Sequence, residues 1–162
     1  MGIEIERKFL LSDDGWRPGP VGVPYRQGYL MADGGLTVRV RRAGEHGYLT
    51  IKGPASGTER PEFEYEIPVV DADAMLANLV RGGLVDKLRY RRLYHGLVWE
   101  VDEFLGDNAG LIVAEVELER ADQPVTLPPW VGAEVTADRR YTNAALSRHP
   151  FRSWGESANR DN

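Results

Sequence analysis

Glu4, Glu6 and Lys8 occupy every second position in the opening stretch MGIEIERKFLL, with Ile3, Ile5 and Phe9 between them and Arg7 as the one misfit in the apolar set. An extended strand sends alternate side chains to opposite faces, so two carboxylates and an ammonium would stand in one row. Such rows recur. Thr37, Arg39 and Arg41 share a parity opposite Leu36, Val38 and Val40, and Tyr48, Thr50 and Lys52 lie opposite Leu49 and Ile51. Glu62, Glu64 and Glu66 alternate with Phe63, Tyr65 and Ile67, and Lys87, Arg89 and Arg91 with Leu88 and Tyr90. Glu100 and Asp102 follow Val98 on one parity, and Glu115, Glu117 and Glu119 form a last acidic row. Hard divalent cations prefer carboxylate oxygens, and arginine and lysine cradle phosphate oxygens. Phosphoryl transfer needs both, because charge on the transferred group must be neutralised and the reactants held in line. One metal could bridge phosphates while a second positions water.

Two arrangements could present these rows. In the first, a sandwich exposes its polar faces to solvent, the ordinary explanation of any one alternating strand. In the second, a barrel points the charges inward. The single-sign rows favour the barrel, since a merely solvated surface intersperses signs to avoid repulsion. A charged interior cannot stay dry and unpaired, so it would have to hold water, metal and an anionic ligand.

The elements that must position the rows follow from alternation and turn residues. Strands are expected at 3–11, 25–31, 36–42, 48–52, 59–67, 85–93, 97–104 and 111–119, separated by turns such as Asp33-Gly34-Gly35, Gly53-Pro54 and His95-Gly96. Tight connections imply a mainly antiparallel sheet, closed or nearly so, giving a mainly β (α+β) fold. One helix is expected at 71–80, acidic at its start and stopped by Gly82-Gly83, and a second at 142–147, ended before Pro150. Pro128-Pro129-Trp130 marks a rigid turn between the last strand and this end. At 162 residues a single domain over 1–150 is expected, with 151–162 as a mobile tail. A net charge of −5 argues against nucleic-acid binding through a global basic field, but not against a local basic pocket. No apolar run is long enough for a membrane span or a signal peptide. The absence of cysteine excludes disulfides and thiolate metal sites and is compatible with a cytoplasmic location.

The opening Glu4-Ile5-Glu6-Arg7-Lys8 resembles the ExExK signature of the CYTH superfamily, the triphosphate tunnel metalloenzymes. Further segments fall in the family's order: Arg26-Gln27-Gly28-Tyr29-Leu30, Val38-Arg39-Val40-Arg41, Lys52, Glu62-Phe63-Glu64, Lys87-Leu88-Arg89-Tyr90, Glu100-Val101-Asp102, Glu115-Val116-Glu117, and the run from Glu134 to Asn143. The resemblance covers nearly the whole chain and is nearest to the compact bacterial group that includes inorganic tripolyphosphatases. It implies an eight-stranded antiparallel barrel forming a charged tunnel. It implies metal ligation by Glu4, Glu6 and one or both of Glu115 and Glu117, with Mg²⁺ or Mn²⁺ as cofactor. Lys8, Arg39, Arg41, Lys52, Lys87 and Arg89 resemble the phosphate-binding set. Glu62, Glu64 and Asp102 resemble a second acidic group that could order a second metal or the attacking water. Tyr29 resembles a tunnel tyrosine near the substrate, and Arg140 a basic residue brought in by the C-terminal segment. Lys87, Glu62, Glu64 and Tyr29 are the expected catalytic residues. The chain departs from the compact group after Glu119, where 121–127 is short and contains Pro124.

Other signals carry less. His46, His95 and His149 lie in or beside turns, far apart, and read as surface residues. No serine has a nucleophile-elbow context and no P-loop is present. Trp16, Trp99, Trp130 and Trp154 read as packing anchors. Arg91 and Arg92 cannot both face inward, and parity favours Arg91, leaving Arg92 of little weight for phosphate. The function expected is metal-dependent hydrolysis of a linear triphosphate, foremost inorganic tripolyphosphate, a small-molecule substrate, by a chain that could form a homodimer. An adenylate cyclase, a thiamine or nucleoside triphosphatase, and a non-catalytic polyphosphate-binding module are the alternatives.

Overall fold

The computed structural model describes residues 2–155. Among the described residues nine strands form: β1 (Ile3–Leu11), β2 (Val23–Asp33), β3 (Leu36–Ala43), β4 (His46–Lys52), β5 (Glu59–Ile67), β6 (Arg81–Tyr94), β7 (Leu97–Phe104), β8 (Ile112–Glu117) and β9 (Val131–Glu134). Helix α1 (Val69–Asn78) follows β5, and α2 (Asn143–Arg148) follows β9. The antiparallel ladder runs β5-β4-β3-β2-β6-β7-β8-β1 and closes where β1 pairs with β5. The eight-stranded antiparallel barrel is therefore the arrangement adopted, and the solvated sandwich is not.

Alternation explains why the barrel is inverted relative to an ordinary core. Its apolar faces point outward and are covered from outside. Phe9, Trp99, Val101, Ala114 and Val116, from β1, β7 and β8, pack beneath Trp16 and Trp130, which are carried by the flanking connections. Trp99 stacks edge-on against Trp130, with centroids 6.0 Å apart. On the other side α1 lays Ala72 and Leu76 against Val40. That contact is close: a Cβ on Gly47 would come within 2.8 Å of the Ala72 Cβ. A third cluster of Val85, Phe104, Val113 and Leu146 plugs one end of the lumen beneath α2.

Several boundaries differ from expectation, with local causes. β9 has no counterpart among the expected strands, being short and tucked behind Pro128-Pro129-Trp130. It pairs with the second half of β1 outside the ring. Its Glu134 explains the misfit Arg7, whose Nε and a terminal nitrogen fork that carboxylate at 3.0 and 2.7 Å. Gly82 and Gly83 do not stop a helix. α1 ends at Asn78 with Leu79 as its cap, and the two glycines begin β6, where Gly83 passes the Ser147 carbonyl too closely for an easy Cβ, at 3.1 Å. Phe151 and Trp154, expected to belong to a mobile tail, pack against the end cluster; the remainder of that expected tail, 156–162, lies outside the described residues.

Candidate active site

Inward parity gathers the charged rows around a cavity of about 410 Å³. β1 supplies Glu4 and Glu6, β3 Arg39 and Arg41, β4 Lys52, β5 Glu62 and Glu64, β6 Arg89, and β8 Glu115 and Glu117. The pairing register sets the neighbours. Glu6 stands opposite Glu117 and Lys8 opposite Glu115, Lys52 opposite Glu62 and Thr50 opposite Glu64, and Arg89 opposite Asp102.

The acids crowd on one side. Glu4 lies 2.7 Å from the Lys52 ammonium. Burial would raise its carboxyl, but Lys52 holds it below the ordinary range. Glu6 has no cation partner among the described residues. Burial and then the charges of Glu115 and Glu4 push it well above the ordinary value. Glu117 is raised likewise, by burial, Glu4 and Glu100. Glu115 is held well below the usual range against its burial, by Lys8 first and then Arg89. Buried Oε1 of Glu4 accepts no hydrogen bond. Carboxylates repelling one another around an unused oxygen suit a hard divalent cation in donor type, while no three acidic or histidine side chains among the described residues stand converged as a metal site.

The bases crowd on the other side. Arg41 has no carboxylate partner among the described residues; it donates to Gln27 Oε1 at 3.0 Å and lies 5.1 Å from the Tyr25 ring centre. Arg89 lies 4.9 Å from the same ring. Burial, with Arg39 and Arg89 beside it, pushes Arg41 down to about 10, which still leaves it charged at neutral pH. Arg39 donates to Thr50 Oγ1 at 3.2 Å, while its buried Nε has no partner. Guanidinium donors left unsatisfied beside a cavity suit phosphate oxygens.

Not every expected residue lines the main cavity. Asp102, expected with the metal and water-ordering acids, is 1 % exposed. Arg89 forks its two oxygens at 2.7 and 2.8 Å, and Lys87 Nζ sits 2.7 Å from Oδ2. Both of its oxygens are engaged by cations, and the carboxylate holds Arg89 and Lys87 in place. Lys87 is fully buried behind the cavity, and its Nζ also donates to Asn143 Oδ1 at 3.1 Å. Burial lowers it to about 7 despite Asp102. Tyr29 and Lys8 line a smaller inner space, and Lys8 Nζ donates to the Tyr141 carbonyl at 3.1 Å, tying down the C-terminal segment. Arg140 does not enter the tunnel. It pairs with Asp138 at 2.8 Å and lies 4.8 Å from the Trp154 ring centre, outside the barrel.

Sequence reasoning missed Tyr25, Asn143 and Arg60. Tyr25 shares parity with Tyr29 on β2, a usable signal. Asn143 arrives through docking of α2, which strand parity does not describe. Arg60 continues the inward row of Glu62 and Glu64 by one step and was legible in the same way.

Comparison with known proteins bears on what such a tunnel does. The CYTH domain profile matches residues 2–147. An inorganic triphosphatase of Acetivibrio thermocellus is 46% identical over 156 residues, spanning 96% of this chain and 100% of that protein. One of Nitrosomonas europaea is 40% identical over 149 residues, spanning 89% of this chain and 96% of that protein. The crystal structure of an inorganic triphosphatase aligns with a TM-score of 0.63 at 38% identity, covering 89% of this chain and 93% of that one.

Proposed function

The chain belongs to the CYTH domain family, and from that premise we propose that it hydrolyses linear triphosphates, foremost inorganic tripolyphosphate, inside its tunnel. The observation that carries this reading is one cavity lined both by guanidiniums with binding capacity to spare, Arg39 with an unpartnered Nε and Arg41 without a carboxylate partner among the described residues, and by the crowded carboxylates Glu4, Glu6 and Glu115. The relatives at 46% and 40% identity, named inorganic triphosphatases, support the same reaction. The enzyme is metal-dependent, as the family's tunnel enzymes are. Glu4, Glu6, Glu115 and Glu117 would hold the divalent ion, Mg²⁺ or Mn²⁺, which neutralises phosphoryl charge and activates water when bound.

The chain's own residues do the rest. Arg39, Arg41, Lys52 and Arg89 bind the phosphoryl oxygens and hold the chain in line. Asp102 keeps Arg89 and Lys87 aimed, and Lys87 supplies positive potential from behind. Glu62 and Glu64, on the inward face of β5, orient the attacking water. Its oxygen bonds to the terminal phosphorus, the bridging P–O bond breaks, and pyrophosphate leaves as orthophosphate forms. Tyr29 lines the small inner space beside Lys8 and Arg39.

A cytoplasmic location fits the cysteine-free chain, and no described helix is long and apolar enough to cross a membrane. A homodimer would find exposed apolar surface at Ile3, Phe63 and Tyr65, on the outside of β1 and β5. The test of the reading is product analysis with tripolyphosphate, ATP and thiamine triphosphate, each with Mg²⁺ or Mn²⁺. Orthophosphate and pyrophosphate in equal amounts from tripolyphosphate, at a kcat/KM above that for ATP, are expected. Cyclic AMP from ATP as the main product would replace the hydrolase by a cyclase.

A further inference from the structure

The turn into α2 is fastened to the barrel from several sides. Asn143 opens the helix, and Thr142 caps it by accepting from Ala145 N at 3.2 Å. Just ahead of the cap, the Tyr141 carbonyl accepts from Lys8 Nζ at 3.1 Å. Just after it, Asn143 Oδ1 accepts from Lys87 Nζ at 3.1 Å. Leu146 then anchors the helix among Val85, Phe104 and Val113. Two lysines from the barrel strands thus hold the backbone at Tyr141 and the side chain at Asn143.

The Lys87 contact decides which way the carboxamide points. An ammonium donates and cannot accept, so Oδ1 faces Lys87 and Nδ2 is turned away from it. Lys87 is itself fixed, being fully buried and 2.7 Å from Asp102. Asn143 makes no other side-chain hydrogen bond to a described residue. Its Nδ2 is also absent from the buried atoms that lack a partner. A donor that is neither bonded nor sealed inside protein opens onto space. Asn143 borders two such spaces, the main cavity and the small inner space, and in both it stands with Glu6, Arg39 and Lys52. Arg39 likewise keeps an unpartnered Nε there. Donors of two kinds, one cationic and one neutral, are therefore left unused around the same volume.

We propose that Asn143 is a substrate-contacting residue, whose Nδ2 donates a hydrogen bond to a phosphoryl oxygen held by Arg39 and Lys52. The inference rests on the triphosphatase reading for the identity of its ligand. Lys87 acts through Asn143 as a positioning residue, because it fixes the direction of the donor before substrate arrives. A neutral amide suits the position, since a further cation there would repel Lys87.

The test separates contact with substrate from the docking of α2. Asn143→Ala removes both the donor and the acceptor. Asn143→Asp keeps an acceptor for Lys87 but has no donor. Tripolyphosphate is titrated calorimetrically into wild type and both variants with EDTA present, so that binding is read without cleavage, and kcat and KM are measured with Mg²⁺. Melting temperatures are recorded for all three. Both variants are expected to bind tripolyphosphate about tenfold or more weakly, the loss of one hydrogen bond to a charged group, and to lose kcat/KM by a similar factor. Asn143→Asp is expected to keep a melting temperature near that of wild type, so its loss of binding is not a loss of fold. Recovery of wild-type binding by Asn143→Asp where Asn143→Ala is impaired would overturn the proposal, because Asn143 would then serve only as an acceptor for Lys87. Wild-type binding by Asn143→Ala would overturn it too. A wild type that binds tripolyphosphate more tightly than both variants yet does not cleave it would strike the triphosphatase reading and not the contact. Cleavage by wild type with both variants unimpaired would strike the contact and not the reading.

Discussion

Arg89 and Asp102 face each other across the β6–β7 ladder, and the guanidinium forks the carboxylate through two hydrogen bonds of 2.7 and 2.8 Å. Lys87 completes the cluster 2.7 Å from the same carboxylate. One buried anion thereby fixes two cations, one of them on the cavity wall.

Asp102→Asn keeps the shape and removes the charge, leaving Arg89 and Lys87 buried without a counter-ion. Breaking a buried pair from one side costs about 3–5 kcal/mol, so the melting temperature is expected to fall markedly. Activity is expected to fall with it, even at temperatures where the variant is folded, because Arg89 is no longer aimed. Full kcat/KM in the folded variant would show that Asp102 aims nothing.

Lys87 gives a pH signature. Its folded value of about 7 lies below the unfolded value of a lysine. Between those two values the unfolded chain binds more protons, so stability from this group rises with pH across that window and is lost as pH falls toward 7. Chemical denaturation from pH 7 to 10, comparing wild type with Lys87→Met, is expected to show this rise in the wild type and its absence in the variant. Parallel curves would place the lysine's proton elsewhere.

Arg92 behaves differently from the control residue that parity suggests. It faces out of the tunnel, yet it is buried, and its NH2 donates to the Arg17 and Pro20 carbonyls at 3.1 Å each. Its Nε also donates to the Trp16 carbonyl, so it straps the β1–β2 connection over the outer core. Arg92→Ala is expected to lose about 3 kcal/mol or more, since hydrogen bonds to a charged group are worth about 1.5–3 kcal/mol each. The KM for tripolyphosphate at a permissive temperature is expected to stay near wild type. A raised KM with unchanged stability would refute this division of labour.

The inward rows were legible because strand parity is a two-residue period, and it assigns a face to Glu4, Arg39 or Glu115 without any knowledge of the partners. What parity cannot assign is depth or partnership. Asp102 reads like Glu115 in the sequence, yet it is the more deeply buried of the two, with Arg89 and Lys87 both paired to it. Arg140 reads like a tunnel base because its segment matches the family's order, yet the turn that carries it directs it onto Asp138 and Trp154. Arg7 broke the apolar pattern of β1 for a reason lying 127 residues away, at Glu134.

The central claim is that Glu4 and Glu6 hold a divalent ion facing a phosphate-binding wall. The measurement that reaches it most directly is orthophosphate release from tripolyphosphate by EDTA-stripped protein, before and after Mg²⁺ or Mn²⁺ is restored, for wild type and for Glu6→Ala with its melting temperature recorded. The expected result is no turnover without metal, recovery in the wild type, and none in a folded Glu6→Ala protein. Full turnover by the stripped wild type, or recovery of Glu6→Ala to wild-type rates, would contradict the account.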